Sequence, residues 1–249
     1  MKNWIKKIFL VVGLLSVLIP SVSFALNFGE YIGAGSATTK LLLHLNGNST
    51  DSSGNGNNGT DTNITYGLGY GKLGQGASFN GSSSKIVFGD VLDFEYNKAF
   101  SISIWFKTSS AGYGALVAKQ SNTTGNGYAI YVNPSSKIEV QLNGGSSATV
   151  FGNTNVADGN WHNVLVVKTT STNIEDVKIY LDGENDTASS SGTLTATISN
   201  AITFAIGCRD SVNLFFNGYI DEPFVENRAW SAEEIKKRYT FAKGRFVNN

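Results

Sequence analysis

The sequence predicts an all-β protein, a two-sheet antiparallel jelly-roll sandwich closed by one short C-terminal helix. Three observations carry this. Short apolar runs alternate with polar residues at period two, the spacing of half-buried strands. Turn formers (Gly, Asn, Ser and Asp) separate those runs, and helix formers cluster only near the C-terminus. No helical stretch separates the strands, which argues against a parallel βαβ sheet.

The length, 249 residues, suits a single large β domain. Basic and acidic residues number 19 each, so the formal net charge is zero. Nothing in that balance draws the chain to nucleic acid or to anionic lipid.

The elements follow in order. Residues 1–25 read as a signal peptide. Lys2, Lys6 and Lys7 form a positive start, an apolar run follows from Ile8 to Ile19, and Ser23-Phe24-Ala25 is a small-x-small cleavage site. The run falls short of the roughly 20 residues that span a bilayer. Cleavage after Ala25 is expected, with no membrane span left and a secreted, cell-surface or periplasmic location. Residues 26–39, with Gly33-Ala34-Gly35-Ser36, read as a leader, either a linker or a first edge segment, and 40–249 as the domain.

Leu41 to Leu45 reads as the opening strand, ending in a turn-rich stretch from Asn46 to Thr60. Phe100, Ile102, Ile104 and Phe106 share a face opposite Ser101, Ser103 and Trp105. Ile138, Val140 and Leu142 face one way, and Lys137, Glu139 and Gln141 the other. Further strands are expected over 84–88, 128–132, 161–168, 177–181, 201–207 and 216–226, with a hairpin turn at Asp182-Gly183. Ser231-Ala232-Glu233-Glu234 is a capping box. It opens a helix with Ile235 and Tyr239 on one face and Lys236, Lys237 and Arg238 where cations suit the dipole. Such a helix is too short to stand alone and must dock.

Cys208, the single cysteine, cannot form an internal disulfide and reads as a buried small hydrophobe. His44 and His162 have no His or Cys partner at zinc-ligand spacing, and His162 reads as structural. No G-x-S-x-G nucleophile motif is present.

Six segments together resemble the laminin G-like domains of the concanavalin A-like jelly rolls. They are His44-Leu45-Asn46-Gly47-Asn48 with the loop from Asp51 to Gly59, then Gly71 to Gly81, then Phe100 to Lys107. Trp161-His162-Asn163-Val164, Ile179 to Gly183, and Phe216 to Glu222 with Asn227 to Ile235 complete the series. They occur in order over about Lys40 to Phe241. The resemblance implies two antiparallel sheets but no fixed ligand, since fold does not imply function.

The resemblance also implies a structural calcium between the opening loop and the closing strand. Asp51 and Asp221 are the expected carboxylates, with Asn46 and loop carbonyls as helpers. The opening loop departs from the EF-hand pattern, because its twelfth position is Thr62 and not Glu. The same residues also read as turn formers (Asp51, Asn57) and as a strand residue bonded to backbone (Asp221). Glycan binding needs exposed aromatic platforms, and Tyr113, Tyr131, Phe151 and Phe215 are the candidates, each also readable as packing. Glycoside hydrolysis needs two carboxylates flanking the bond. The nearest match, Asp93 and Glu95, lies among turn residues and reads as a solvated loop.

The functional expectation is an exported binding or adhesion module for carbohydrate or a surface protein. A polysaccharide-degrading enzyme on the same fold, and a structural surface or envelope component, are the alternatives.

Overall fold

The computed structural model describes residues 36–121, 125–210 and 213–243. The signal-peptide reading of 1–25 lies outside them. In chain order the strands are β1 Thr39–Leu42, β2 Thr60–Thr62, β3 Thr65–Gly67, β4 Gly76–Asn80, β5 Lys85–Val87, β6 Phe100–Lys107, β7 Gly114–Lys119 and β8 Gly127–Val132. There follow β9 Ile138–Asn143, β10 Ser147–Gly152, β11 Trp161–Lys168, β12 Lys178–Leu181, β13 Glu184–Asn185, β14 Thr187–Gly192, β15 Ala205–Ile206 and β16 Asn217–Glu226. Among the described residues there is one α-helix, α1, Ala232–Lys243.

These strands form two antiparallel sheets. The first runs β13-β12-β11-β6-β16-β4-β3, with β1 also beside β16, and the second β14-β10-β9-β8-β7-β15-β5-β2. The period-two pattern decides which side chains meet between them. Phe100, Ile102, Ile104 and Phe106 of β6 share one core with Tyr128 and Ile130 of β8 and with Ile138, Val140 and Leu142 of β9. Phe94 reaches in from a loop and stacks on Phe100 at 4.5 Å. Each such fully buried apolar side chain stabilises the fold by roughly 1.5–3 kcal/mol. Cys208 is buried, as expected.

The structure differs from the sequence reading at the start of β1, in the length of β15 and in the burial of β9. β1 starts at Thr39, inside the segment read as leader, and Thr38 and Thr39 both donate hydroxyl hydrogen bonds to Glu226 at 3.2 Å. The end of that leader is therefore part of the sandwich. The strand expected over 201–207 shortens to Ala205–Ile206, because Phe204 bonds to the loop residues Phe88 and Gly89 instead. The polar side of β9 is not half-exposed: Glu139 is 4 % and Asn143 1 % exposed.

The capping box forms as expected. Ser231 Oγ accepts from the Glu234 amide at 3.3 Å, and the Ser231 amide donates to Glu234 Oε2 at 2.8 Å. Docking is supplied by Ile235, in a cluster with Leu42, Leu165, Val167, Phe224 and Trp230 on the outer face of the first sheet. Arg238 is not a solvated cation at the helix end. Its guanidinium carbon lies 4.2 Å from the Phe224 ring centre and 5.3 Å from that of Trp230. Among the described residues no helix is long and apolar enough to cross a membrane.

Candidate functional site

The outer face of the second sheet carries the site. Directly paired residues of antiparallel strands point to the same side. The register therefore builds rows across β7, β8, β9, β10 and β14. One row is Ala115, Tyr131, Glu139, Phe151 and Ser189. The next is Ala118, Ala129, Gln141, Thr149 and Ser191. Both lie opposite the core side chains of the same strands.

Tyr113 reaches over the first row from the loop between β6 and β7. It is 43 % exposed. Its hydroxyl donates to Glu139 Oε2 at 3.1 Å, and its ring meets the Tyr131 ring edge-on at 5.8 Å. Asn133 Nδ2 donates to the same Glu139 oxygen at 3.3 Å, and Gln141 Nε2 to Oε1 at 2.8 Å. The Tyr131 hydroxyl donates to Gln120 Oε1 at 3.4 Å. Burial, then the nearby Glu139 carboxylate, raises the Tyr113 phenol above its ordinary value. Burial pushes Tyr131 up to about 12. Both phenols are therefore donors at neutral pH.

Two atoms of this network have no hydrogen-bond partner: Gln120 Nε2, a donor, and Gln141 Oε1, an acceptor. Both residues are more than nine-tenths buried. A buried polar group left unpaired costs about 1–3 kcal/mol. A hydroxyl that both donates and accepts can satisfy either of them.

Three of the four aromatic candidates thus come together: Tyr131 and Phe151 flank Glu139 in one row, and Tyr113 lies over it. Phe215 lines a smaller depression of about 220 Å³, with Tyr113 at its edge. Sequence reasoning missed Gln120, Asn133, Glu139 and Gln141 as site residues. The signal was there in Glu139, Gln141 and Asn143, three polar residues at period two on one strand. An outward polar face is also what a merely solvated strand shows.

The expected calcium residues do not form one cation site as placed. All four lone pairs of Asp51 meet donors: the amides of Leu42 and Ser53 on Oδ1, and the Ser53 hydroxyl and Asn57 amide on Oδ2. Asp221 Oδ2 accepts from the Lys72 and Leu73 amides at 2.7 Å each, and Oδ1 from the Glu222 amide at 2.9 Å. Asn46 Oδ1 accepts from the Gln75 amide at 2.8 Å. N–H groups aimed at these oxygens are the opposite of what a hard cation needs, so the residues do not fit calcium in this arrangement. Of the two readings of Asp51 and Asp221, the backbone-bonded one describes the geometry. Burial pushes the Asp221 carboxyl up to about 8, although the Leu73 and Lys72 amides hold it down.

Asp93 and Glu95 line a cleft of about 690 Å³ with Lys40, Lys98 and Phe94. They sit in the loop before β6 and not on one strand face. Asp93 lies 3.4 Å from Lys119 Nζ and accepts from Ser199 Oγ, so it ties that loop down. His162 is held between Asp182, at 2.8 Å, and Asp158, at 3.2 Å.

No curated protein matches the chain in sequence. Among solved structures, domain 4 of AbnA is similar, with a TM-score of 0.64 and 21% identity, over 81% of this chain and 98% of that one. AbnA is an extracellular GH43 arabinanase from Geobacillus stearothermophilus, and the domain is in complex with arabinotriose. The binding domain of Paraclostridial Mosquitocidal Protein 1 is similar with a TM-score of 0.64 and 16% identity, over 81% of this chain. The receptor binding domain of botulinum neurotoxin D follows, with a TM-score of 0.61 and 16% identity over 85%. The chain spans about half the length of these last two, 52% and 54%. At such identities the likeness is one of fold. The match to a family model is in sequence, over residues 80–236, and by it the chain belongs to the concanavalin A-like lectin/glucanases superfamily, in its laminin G branch.

Proposed function

We propose that the protein is an exported carbohydrate-binding module that takes saccharides on the outer face of its second sheet. The observation that carries this is the row Tyr131, Glu139, Phe151 under Tyr113, with the unpaired Gln120 Nε2 and Gln141 Oε1 beside it. A sugar offers vicinal hydroxyls to such a donor and acceptor, and the apolar face of its ring to Tyr113 and Phe151. The arabinotriose complex of AbnA domain 4 supports the ligand class. The N-terminal pattern of Lys2 to Ala25 supports export.

Retention of the ligand, not its cleavage, is favoured by β9 itself. Hydrolysis uses two carboxylates about 5–9.5 Å apart. β9 presents Glu139 followed by the amides Gln141 and Asn143. Glu139 already accepts from three side chains, which suits an orienting acceptor.

The test is a glycan microarray on the full chain, then calorimetry with arabino-oligosaccharides and with the strongest array ligand. Tyr113→Ala is expected to weaken binding roughly tenfold, from the loss of a stacking surface and a hydrogen bond. Gln141→Ala is expected to weaken it by a similar factor, with both melting temperatures little changed. Binding by both variants equal to that of the parent, or no saccharide bound at all, refutes the assignment. Release of reducing ends from the ligand would move the protein to the hydrolytic reading.

A further inference from the structure

The first sheet also has an outer face, and α1 covers only part of it. Tyr239 of α1 stacks on Trp105 at 5.7 Å. One row further on, the register gives Trp161, Lys107, Tyr219, Ser78 and Thr65. Trp161, Lys107 and Tyr219 are each half-exposed. Tyr219 is backed by Tyr70, whose ring stacks on it at 5.0 Å and 28°. In the register Lys107 therefore stands between two aromatic residues, Trp161 and Tyr219.

A cleft of about 490 Å³ opens beside this row, lined by Lys107, Thr108, Ser109, Ser110, Asn217 and Tyr219. Gly218 completes it. A Cβ there would meet the Lys107 carbonyl oxygen at 2.2 Å, and its φ of +148° suits glycine alone. Hydroxyls, an amide and one cation make up the polar lining, with no carboxylate. Among the described residues the Lys107 ammonium has no ion-pair or hydrogen-bond partner.

We propose that this cleft binds an acidic saccharide, a carboxylated or sulfated sugar. The acid group meets the Lys107 ammonium, the sugar hydroxyls meet Ser109, Ser110 and Asn217, and the ring lies against Tyr219. A bare anion would use the ammonium but neither aromatic surface. A neutral sugar would leave the cation unanswered, and a charge-assisted hydrogen bond is about twice as strong as a neutral one. The two outer faces then differ in charge, because at the first Glu139 is opposed by Arg209, whose charge reaches Tyr113 and Tyr131, whereas the Lys107 cleft carries a cation with no carboxylate in its lining. Thr108, Ser110 and Asn217 also line the depression that ends at Tyr113, so one loop separates the two. The inference goes beyond the proposed function and does not depend on the Glu139 face.

The experiment is calorimetry on the full chain with a galacturonic acid trisaccharide, its methyl ester and a sulfated galactose disaccharide. At least one acidic sugar is expected to bind, with the ester about tenfold weaker than the acid where the carboxylate is the group bound. Binding of the sulfated sugar alone would assign sulfate as that group. Lys107→Gln is expected to abolish discrimination by charge with an unchanged melting temperature, and Tyr219→Ala to weaken every ligand of the cleft. Tyr113→Ala should leave this binding intact, which separates a failure here from a failure at the other face. The proposal is overturned if neither acidic sugar binds, if Lys107→Gln binds the acidic sugar as the parent does, or if inorganic sulfate binds as tightly as the sugar.

Discussion

Asp221 is fully buried, and three backbone amides point at its carboxyl group. Burial nevertheless pushes it up to about 8. Between the ordinary carboxylate range, about 4, and that value, the native state keeps a proton that the unfolded chain gives up. Stability therefore falls as pH rises across the window. His44 acts in the same direction. Its hydrogen bond to Glu222 outweighs burial and raises its pKa, so its contribution is complete below about pH 6.5 and is lost as pH rises through the higher folded value. His162 is also raised: burial lowers it, but its bonds to Asp182 and Asp158 outweigh that. The urea midpoint is expected to fall from about pH 5.5 to about pH 8.5, and to fall less steeply in Asp221→Asn, whose amide cannot ionise. Equal slopes in the two proteins would show that Asp221 does not hold the proton. None of this was legible in the sequence. A carboxylate oxygen serves an amide or a cation equally well, so spacing alone left Asp51 and Asp221 open between the two.

At the scale of elements, legibility followed the contrast between the two faces of a strand. β6 and β9 alternate cleanly, and in both the apolar residues read as sharing a face lie together in the core. β7 is buried along its whole length and reads Gly-Ala-Leu-Val-Ala-Lys, so it shows no alternation to detect. β14 is an edge strand reading Thr-Ala-Ser-Ser-Ser-Gly, with no apolar stripe at all. The join of β16, β1 and α1 was half legible: the capping box announced the helix, but not the carboxylate that anchors its approach. Glu226 is 1 % exposed and accepts from Thr38, Thr39 and the Trp230 indole, with Arg228 Nε at 2.6 Å. Glu226→Ala leaves the Trp230 indole and the two threonine hydroxyls without this acceptor, while Arg228 keeps Glu234. It is expected to cost about 1–3 kcal/mol for each buried donor left unpaired, read in urea unfolding. Ser231→Ala removes only the helix cap, and about 1 kcal/mol is expected. A Glu226→Ala cost no larger than that of Ser231→Ala would mean that the carboxylate is solvated and not integrated.

For the whole molecule, the decisive join is between the opening segment, the loop after β3 and the closing strand. The resemblance led to the expectation that a cation makes it. In the structure, protein donors make it. His44 Nδ1 lies 2.9 Å from Glu222, Asn46 holds the Gln75 amide, and Asp221 holds those of Lys72 and Leu73. Asp51 closes the opening loop onto β1 in the same way, through the Leu42 amide. A ligand that binds only the folded state raises its stability by about 2.7 kcal/mol at a hundredfold excess over its dissociation constant. A calcium site at this join would therefore separate a melt in calcium from one in chelator by several degrees. With the oxygens turned to N–H groups, the two melts are expected to coincide. A higher melting temperature in calcium, abolished by Asp51→Ala with Asp221→Ala, would show that these oxygens can turn from amides to a cation. The opening loop would then be a metal-ordered segment, no longer one ordered by its own backbone.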